Sequence, residues 1–401
     1  MKGFYKHYFF VSMSIFCSCV FSTEYLYPVG SVIFEETERI VVLYQQNAHL
    51  ELWLWDPITR RAIKGLSHYT PAGLVVLPSH MQLSFIDHER IRIKCLSKKS
   101  PKALDMYPLY DFGLIYWIDD ENAYCSAREH YNFGIFHITT DGNLYRLARS
   151  STCDYTYPQK KGPSLFYIKR TETGKYSIEK ALYPTKEISS CQTLLHHPEE
   201  MSAPEKIEWM SREAPRSCLS QQQPETIFIC DQETYAISFL TMKSETEGYF
   251  LKHVEHPFLG KYDKTMLFEC WHLIKEKTWS AQKLFSFSIP LSLLYGEQRL
   301  YESILRLLPS YQGPFIFYVS ATDEGYLHVH RYSTLSSTST CVTQGAREKY
   351  LFSPYFFHAQ GWCGGMIKTE ENCLSQGPTL EEADSGELLF TFPTIDLPTK
   401  A

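Results

Sequence analysis

Leu114-Ile-Tyr-Trp117-Ile-Asp119-Asp120, then Tyr124-Cys-Ser126, then Gly134-Ile135-Phe136-His-Ile138-Thr-Thr-Asp141-Gly142-Asn143 and finally Arg146-Leu147 is the run that decides how this chain is read. Short apolar segments alternate with turn signals, and each segment has strand length rather than helix length. Asp141-Gly142 supplies the positive-φ turn that joins two antiparallel strands. Trp117 and Phe136 are large rings, suited to filling the space between stacked sheets.

The same alternation recurs outward from that unit. Leu50, Leu52 and Leu54 lie opposite Glu51, Trp53 and Trp55; Arg90, Arg92 and Lys94 lie opposite Ile91, Ile93 and Cys95. Tyr176 and Ile178 oppose Lys175, Ser177 and Glu179, and His328, His330 and Tyr332 oppose Leu327, Val329 and Arg331. Such period-two segments read as antiparallel strands covered on one side. Those near residues 53, 92, 136 and 178 recur at a mean step of about 42 residues, the length of one four-stranded propeller blade. A single unit of that size cannot cover both faces of its own sheet, so units stack radially and bury their rings against one another. The expected fold is all-β, a β-propeller of four-stranded antiparallel blades, seven in number, with six as the alternative.

The register weakens after Tyr183. The stretch Pro184–Pro224, rich in Glu, Ser, Gln and Pro, reads as an irregular polar insertion. Strands are expected again at Thr226–Ile229, Gly248–Val254, Lys283–Ile289 and Phe315–Val319. Between them, Leu300, Ile304, Leu307 and Leu308 have helical spacing within Glu297–Leu308, which reads as a short amphipathic helix. The apolar tail Leu388–Phe392 is expected to supply a strand that closes the ring.

The Trp-containing first strand, Asp-rich turn, small-residue second strand, and third strand running into Asp141-Gly142-Asn143 and Arg146-Leu147 resemble the repeat of TolB-like (WD40-like) bacterial propellers. Leu52-Trp53-Leu54-Trp55-Asp56-Pro57 is a looser version. The resemblance implies an envelope propeller that binds a protein partner. TolB proteins also carry an α/β domain ahead of the propeller. Here strand pattern begins by about Val32, so neither that domain nor a literal Tol-system role is expected.

The N-terminus carries its own signal. Lys2, Lys6 and His7 precede an apolar run from Tyr8 to Phe21, with Val20 and Ser22 as small residues before a cut at Thr23. Residues 1–22 are thus expected to be a cleaved signal peptide and 23–401 a single propeller domain in the periplasm, monomeric and with no transmembrane anchor after cleavage. A lipoprotein anchored through Cys19 is the alternative. Of twelve cysteines, ten then remain, without CxxC or zinc-ribbon spacing. Cys363 and Cys373 flank a turn-rich stretch that could be bridged, and most others read as buried small hydrophobes.

Charge excludes one class. The formal net is −6, and the nearest thing to a basic footprint is Lys94, Lys98, Lys99 and Lys102, which reads as a solvated edge, so no nucleic-acid partner is expected. No Gly-x-Ser-x-Gly elbow, HExxH helix, phosphate loop or EF-hand occurs, so no catalytic residue is assigned. Three histidine groups have ligand types: His196-His197 with Glu199 and Glu200; His253 with Glu255 and His256; and His328 with His330. None supplies three or four aligned ligands, so neither metal nor cofactor is expected. Asp119, Asp120 and Glu121 read as a solvated turn. The leading function is a non-catalytic protein-interaction scaffold in the cell envelope. The alternative is a propeller hydrolase or lyase acting on envelope polysaccharide or peptide, which requires two carboxylates, or a carboxylate and a histidine, within a few ångströms.

Overall fold

The computed structural model describes strands between residues 24 and 391, and side chains chiefly for 109–184, 223–230, 235–253, 265–290, 314–321 and 328–342. Twenty-eight strands are present among the described residues, and they pair into seven four-stranded antiparallel sheets. The first holds β1 (Glu24–Phe34), β2 (Thr37–Gln46), β3 (His49–Asp56) and β4 (Arg61–Ser67). The second holds β5 (Ala72–Val76), β6 (Gln82–Asp87), β7 (Arg90–Cys95) and β8 (Lys102–Asp105). The third holds β9 (Ile115–Trp117), β10 (Asn122–Glu129), β11 (Asn132–Thr139) and β12 (Leu144–Ala148). The fourth holds β13 (Cys153–Lys161), β14 (Ser164–Thr171), β15 (Tyr176–Leu182) and β16 (Glu225–Ile229). The fifth holds β17 (Tyr235–Met242), β18 (Glu247–Val254), β19 (Thr265–Lys275) and β20 (Trp279–Pro290). The sixth holds β21 (Leu308–Pro309), β22 (Phe315–Ala321), β23 (Leu327–Ser333) and β24 (Thr338–Cys341). The seventh holds β25 (Lys349–Leu351), β26 (Gly365–Lys368), β27 (Thr379–Glu382) and β28 (Leu388–Thr391).

Each sheet pairs its strands in chain order, and each touches the next: β1 meets β5, β5 meets β9, β11 meets β13, β13 meets β17, β20 meets β22 and β23 meets β25. The four segments spaced at about 42 residues are β3, β7, β11 and β15, the third strand of each of the first four sheets. The step lengthens afterwards because β15 and β16 pair as neighbours although 42 residues separate Leu182 from Glu225 in the chain. The insertion expected at 184–224 lies almost wholly outside the described residues.

Alternation explains the stacking. In β10, Ala123, Cys125 and Ala127 face a cluster with Leu104, Leu109, Phe136 and Leu144, while Tyr124 faces one with Ile135, Leu147, Leu165 and Tyr167. In β14, Leu165 and Tyr167 join that second cluster, and Phe166 and Ile168 join a third with Leu240, Phe250 and Leu273 of the fifth sheet. The middle strands β10 and β14 are therefore largely buried on both faces, where the pattern led to coverage on one side only. Phe136 is fully buried and Trp117 packs against its cluster, as the fill between sheets requires. Burying such a ring contributes roughly 1.5–3 kcal/mol.

Turns repeat as well. Thr139–Asn143 and Thr171–Lys175 share one design: the fourth residue, Gly142 (φ 101°) or Gly174 (φ 78°), takes the left-handed conformation and donates its N–H to the first residue's carbonyl. Four successive sheets share a second bond. The backbone N–H at the end of the third strand donates to a carbonyl in the turn between first and second strands: Thr140 to Glu121, Tyr183 to Pro163, Lys275 to Thr246 and Thr334 to Pro314, all at 2.7–2.9 Å. The two turns at that end of each sheet are thereby tied together.

Two expectations change. Leu308 belongs to β21, so the helix expected over Glu297–Leu308 does not reach its last residue, and 297–306 lie outside the described residues. The tail strand β28 pairs with β27, so the seventh sheet is made wholly of C-terminal strands and the first wholly of N-terminal ones. Cys125, Cys230 and Cys270 are buried as expected, whereas Cys153 is half-buried and Cys341 exposed. Cys363 and Cys373, and residues 1–23, lie outside the described residues. No helix among the described residues is long and apolar enough to cross a membrane.

Candidate functional site

The hairpin between β17 and β18 places an acid at the start of a strand. Lys243 and Ser244 both donate their N–H to the Glu247 carbonyl, at 2.9 and 3.0 Å, and Ser244 Oγ accepts from Thr246 N at 3.1 Å. This closed turn fixes the direction in which Glu247 leaves the backbone. In the β18–β19 ladder Tyr249 stands opposite His272, and Glu247 begins the strand on the same face as Tyr249. Phe250 and Leu273, on the other face, join the cluster shared with the fourth sheet, so Glu247, Tyr249 and His272 are on the face turned away from it.

Three groups converge on the Glu247 carboxylate. Tyr249 donates its hydroxyl at 3.0 Å, His272 Nε2 lies at 3.3 Å and Lys243 Nζ at 3.4 Å. The rings of Tyr249 and His272 stack with centroids 4.9 Å apart. Water still reaches the pair, since Glu247 and His272 side chains keep 28% and 23% of their exposure. Partial burial pushes the Glu247 carboxyl upward, but the Tyr249 hydrogen bond and the Lys243 and His272 charges outweigh it and hold it below its ordinary value. Burial, then the neighbouring Glu247 charge, pushes the Tyr249 phenol far up, so it stays a donor. A carboxylate facing Nε2 holds the ring in place, and in the tautomer whose Nε2–H donates to it Nδ1 is the nitrogen with the lone pair, a geometry able to serve as an oriented general base. The group sits on second and third strands, not on the first strands of the sheets.

The acids and histidines singled out in the sequence fare differently. Asp119 accepts from the N–H groups of Glu121 and Asn122, at 2.8 and 2.7 Å, and from Asn122 Nδ2 at 2.9 Å, so it serves its own turn. His253 is buried on β18 beside Phe268; Glu255 and His256 lie outside the described residues, as do His196, His197, Glu199 and Glu200. His328 is buried with Nδ1 3.8 Å from Cys341 Sγ, and His330 stacks on Tyr318. Among the described residues no group of three or more His, Cys, Asp or Glu side chains could hold a metal ion. Lys94 and Lys102 are on strands, but their side chains, like Lys98 and Lys99, lie outside the described residues.

Sequence reading missed the buried polar contacts. His137 Nδ1 meets Tyr183 Oη at 2.6 Å between the third and fourth sheets. Glu129 is fully buried against Arg146 and Arg149. Glu179, assigned to the polar side of its strand, is buried and accepts from Tyr167, Lys169 and Ser177 at 3.1–3.3 Å. Each is paired within the protein and holds structure.

No family profile matches the chain, and no characterised protein matches it by sequence. Solved structures do. A Mycobacterium tuberculosis puromycin-hydrolyzing peptidase is similar over 93% of this chain with a TM-score of 0.56 and 11% identity. An oligogalacturonate lyase in complex with manganese is similar over 91% of this chain and 89% of its own, with a TM-score of 0.51 and 8% identity. What is shared is the fold. The chain spans 54% of the peptidase's length, about half. A putative TolB from Agrobacterium tumefaciens aligns over 66% of this chain and 82% of its own at a TM-score of 0.40 and 12% identity. The similarity is to a propeller-type fold found in proteins of different activities, not to TolB in particular.

Proposed function

We propose that the chain is an exported seven-bladed β-propeller, closed by packing of its first sheet against its seventh, that acts as a hydrolase or lyase on polysaccharide or peptide of the bacterial envelope. The observation that carries this reading is the Glu247–His272 pair, a water-accessible carboxylate and imidazole 3.3 Å apart with Tyr249 completing the group. His272 acts as base, on water for hydrolysis or on an acidic C–H for elimination, and Glu247 orients it and balances the charge it acquires. The two neighbours above, a peptidase and a lyase, support an enzymatic use of this fold without supplying the substrate. Export rests on the basic head and apolar run of residues 2–22.

The purified mature chain is to be incubated with oligogalacturonate, peptidoglycan fragments and short peptides. Unsaturated product, new reducing ends and free amines are read separately. Product from one class, abolished by His272→Asn, supports the proposal; no product from any class removes it.

The second reading is a non-catalytic scaffold for a protein partner. It is favoured by the turn-to-turn bonds in four successive sheets, which make one end a rigid display surface, with Leu335 83% exposed on it. Crosslinking in the intact envelope followed by pulldown tests it against an unrelated periplasmic control.

A further inference from the structure

The third sheet carries an irregular backbone segment ahead of β9. Tyr110 and Arg128 exchange both backbone hydrogen bonds, at 3.0 and 2.8 Å, and Gly113 N–H donates to the Ser126 carbonyl at 2.8 Å. Between these anchor points Asp111 and Phe112 stand against Ala127 alone, which makes the segment a β-bulge. Asp111 takes a left-handed φ of 49°, a conformation ordinarily left to glycine. The bulge turns the Asp111 carboxylate onto Arg128, with Oδ2 3.4 Å from Nε. Arg128 also stands opposite Phe133 in the β10–β11 ladder and lays its guanidinium over that ring, 4.7 Å from the centroid.

The guanidinium is thus held at two points while its far end stays open. Nε is buried, yet the Arg128 side chain keeps 42% of its exposure, so what is open is the stem and the two terminal nitrogens. The Asp111 side chain keeps 59%. At the tip of the same hairpin, beside the closing Glu129–Asn132 pair, Tyr131 is 89% exposed. A fixed donor fork, an adjacent acceptor and a bare ring therefore share one end of the sheet, opposite the end where the turns are tied. Backbone strain that aims a side chain in this way is the kind found where a ligand is held.

We propose that Asp111, Arg128 and Tyr131 form a saccharide-binding subsite for a neutral pyranose, on a different sheet from the Glu247–His272 pair. Each hydroxyl of a vicinal diol can donate one hydrogen bond and accept others. The Arg128 terminal nitrogens donate to that diol and the Asp111 carboxylate accepts from it, while the apolar face of the sugar ring lies on Tyr131. Asp111 balances the Arg128 charge, and Asp154, which accepts from Phe133 N–H at 2.8 Å, adds a second acid nearby. A neutral ligand therefore fits this surface better than a phosphate or an acidic peptide. Binding here needs no turnover at the fifth sheet.

The test is calorimetric titration of the purified chain with cellotetraose, chitotetraose and maltotetraose, and with inorganic phosphate and tetraglutamate as anionic controls. At least one of the three saccharides is expected to bind, with an affinity that changes less than about twofold between low and physiological salt, since no ion pair forms. Tyr131→Ala and Arg128→Lys are each expected to weaken it about tenfold or more. Asp111→Gly is expected to weaken it as well while leaving the urea midpoint unchanged or raised, because glycine takes a φ of 49° without strain. Absence of binding by all three saccharides, tighter binding of phosphate or tetraglutamate, or saccharide binding that survives Tyr131→Ala undiminished overturns the proposal. Tyr131 is exposed enough that its replacement leaves the core untouched, so that variant decides the matter even if the other two fail to fold.

Discussion

The Tyr183 hydroxyl lies 2.6 Å from His137 Nδ1, and this contact crosses from the fourth sheet to the third. Both residues are almost fully buried, and His137 Nε2 has no partner. The contact is thus what satisfies the imidazole. Tyr183→Phe keeps the ring and removes the hydroxyl, leaving a buried imidazole unpaired. A loss of about 1–3 kcal/mol is expected in urea unfolding, against little change for Tyr131→Phe on the surface.

Acid should weaken the fold through its buried histidines. Burial lowers His137 to about 4, with Asp119 pulling slightly the other way, and burial alone lowers His253 to about 4. Below an ordinary value of about 6.5 the unfolded chain binds protons that the native one refuses. Stability from these groups is complete above pH ~6.5 and is lost as pH falls toward ~4, by up to about 3 kcal/mol each. Urea midpoints at pH 7.5 and 5.0 should differ in that direction, and His253→Asn should shrink the difference.

Charge pairs should rank by burial. Glu129 is fully buried against Arg146 and Arg149, whereas Arg128 and Asp111 keep 42% and 59% of their exposure. Glu129→Ala removes the buried carboxylate that two guanidinium groups face and should cost about 3–5 kcal/mol, while Asp111→Ala should cost under about 1 kcal/mol. Equal losses in calorimetry would refute the ranking.

Gly142 tests the turn design without steric complication, because an added Cβ would meet nothing within 4 Å. Its φ of 101° still disfavours any side chain, so Gly142→Ala should destabilise by about 1 kcal/mol or more. A neutral substitution would show that the turn relaxes freely.

The architecture was readable because it is local and periodic. Asp141-Gly142 marks its turn, and Trp117 and Phe136 mark the faces between sheets. The third strands recur evenly until the segment after Tyr183 breaks the spacing. The candidate site was not readable, for a definite reason. Glu247 and Tyr249 adjoin one turn, but His272 comes from the next strand, and only the ladder register brings Tyr249 opposite it. Glu179 misled for the same reason: an acid in an alternating strand reads as solvated until its partners on neighbouring strands are known. His328 gave half of its contact, since the pattern placed it beside His330 but could not bring Cys341 to it.

The most direct test of the catalytic reading is turnover by wild-type, Glu247→Gln and His272→Asn chains on the same substrate panel, with folding checked by urea unfolding. An oriented general base is worth about 10²–10⁴ in rate, so His272→Asn should lose that factor and Glu247→Gln a smaller part of it, both remaining folded. Folded variants that turn over as fast as the wild-type chain, or a wild-type chain inert toward every substrate, would contradict it.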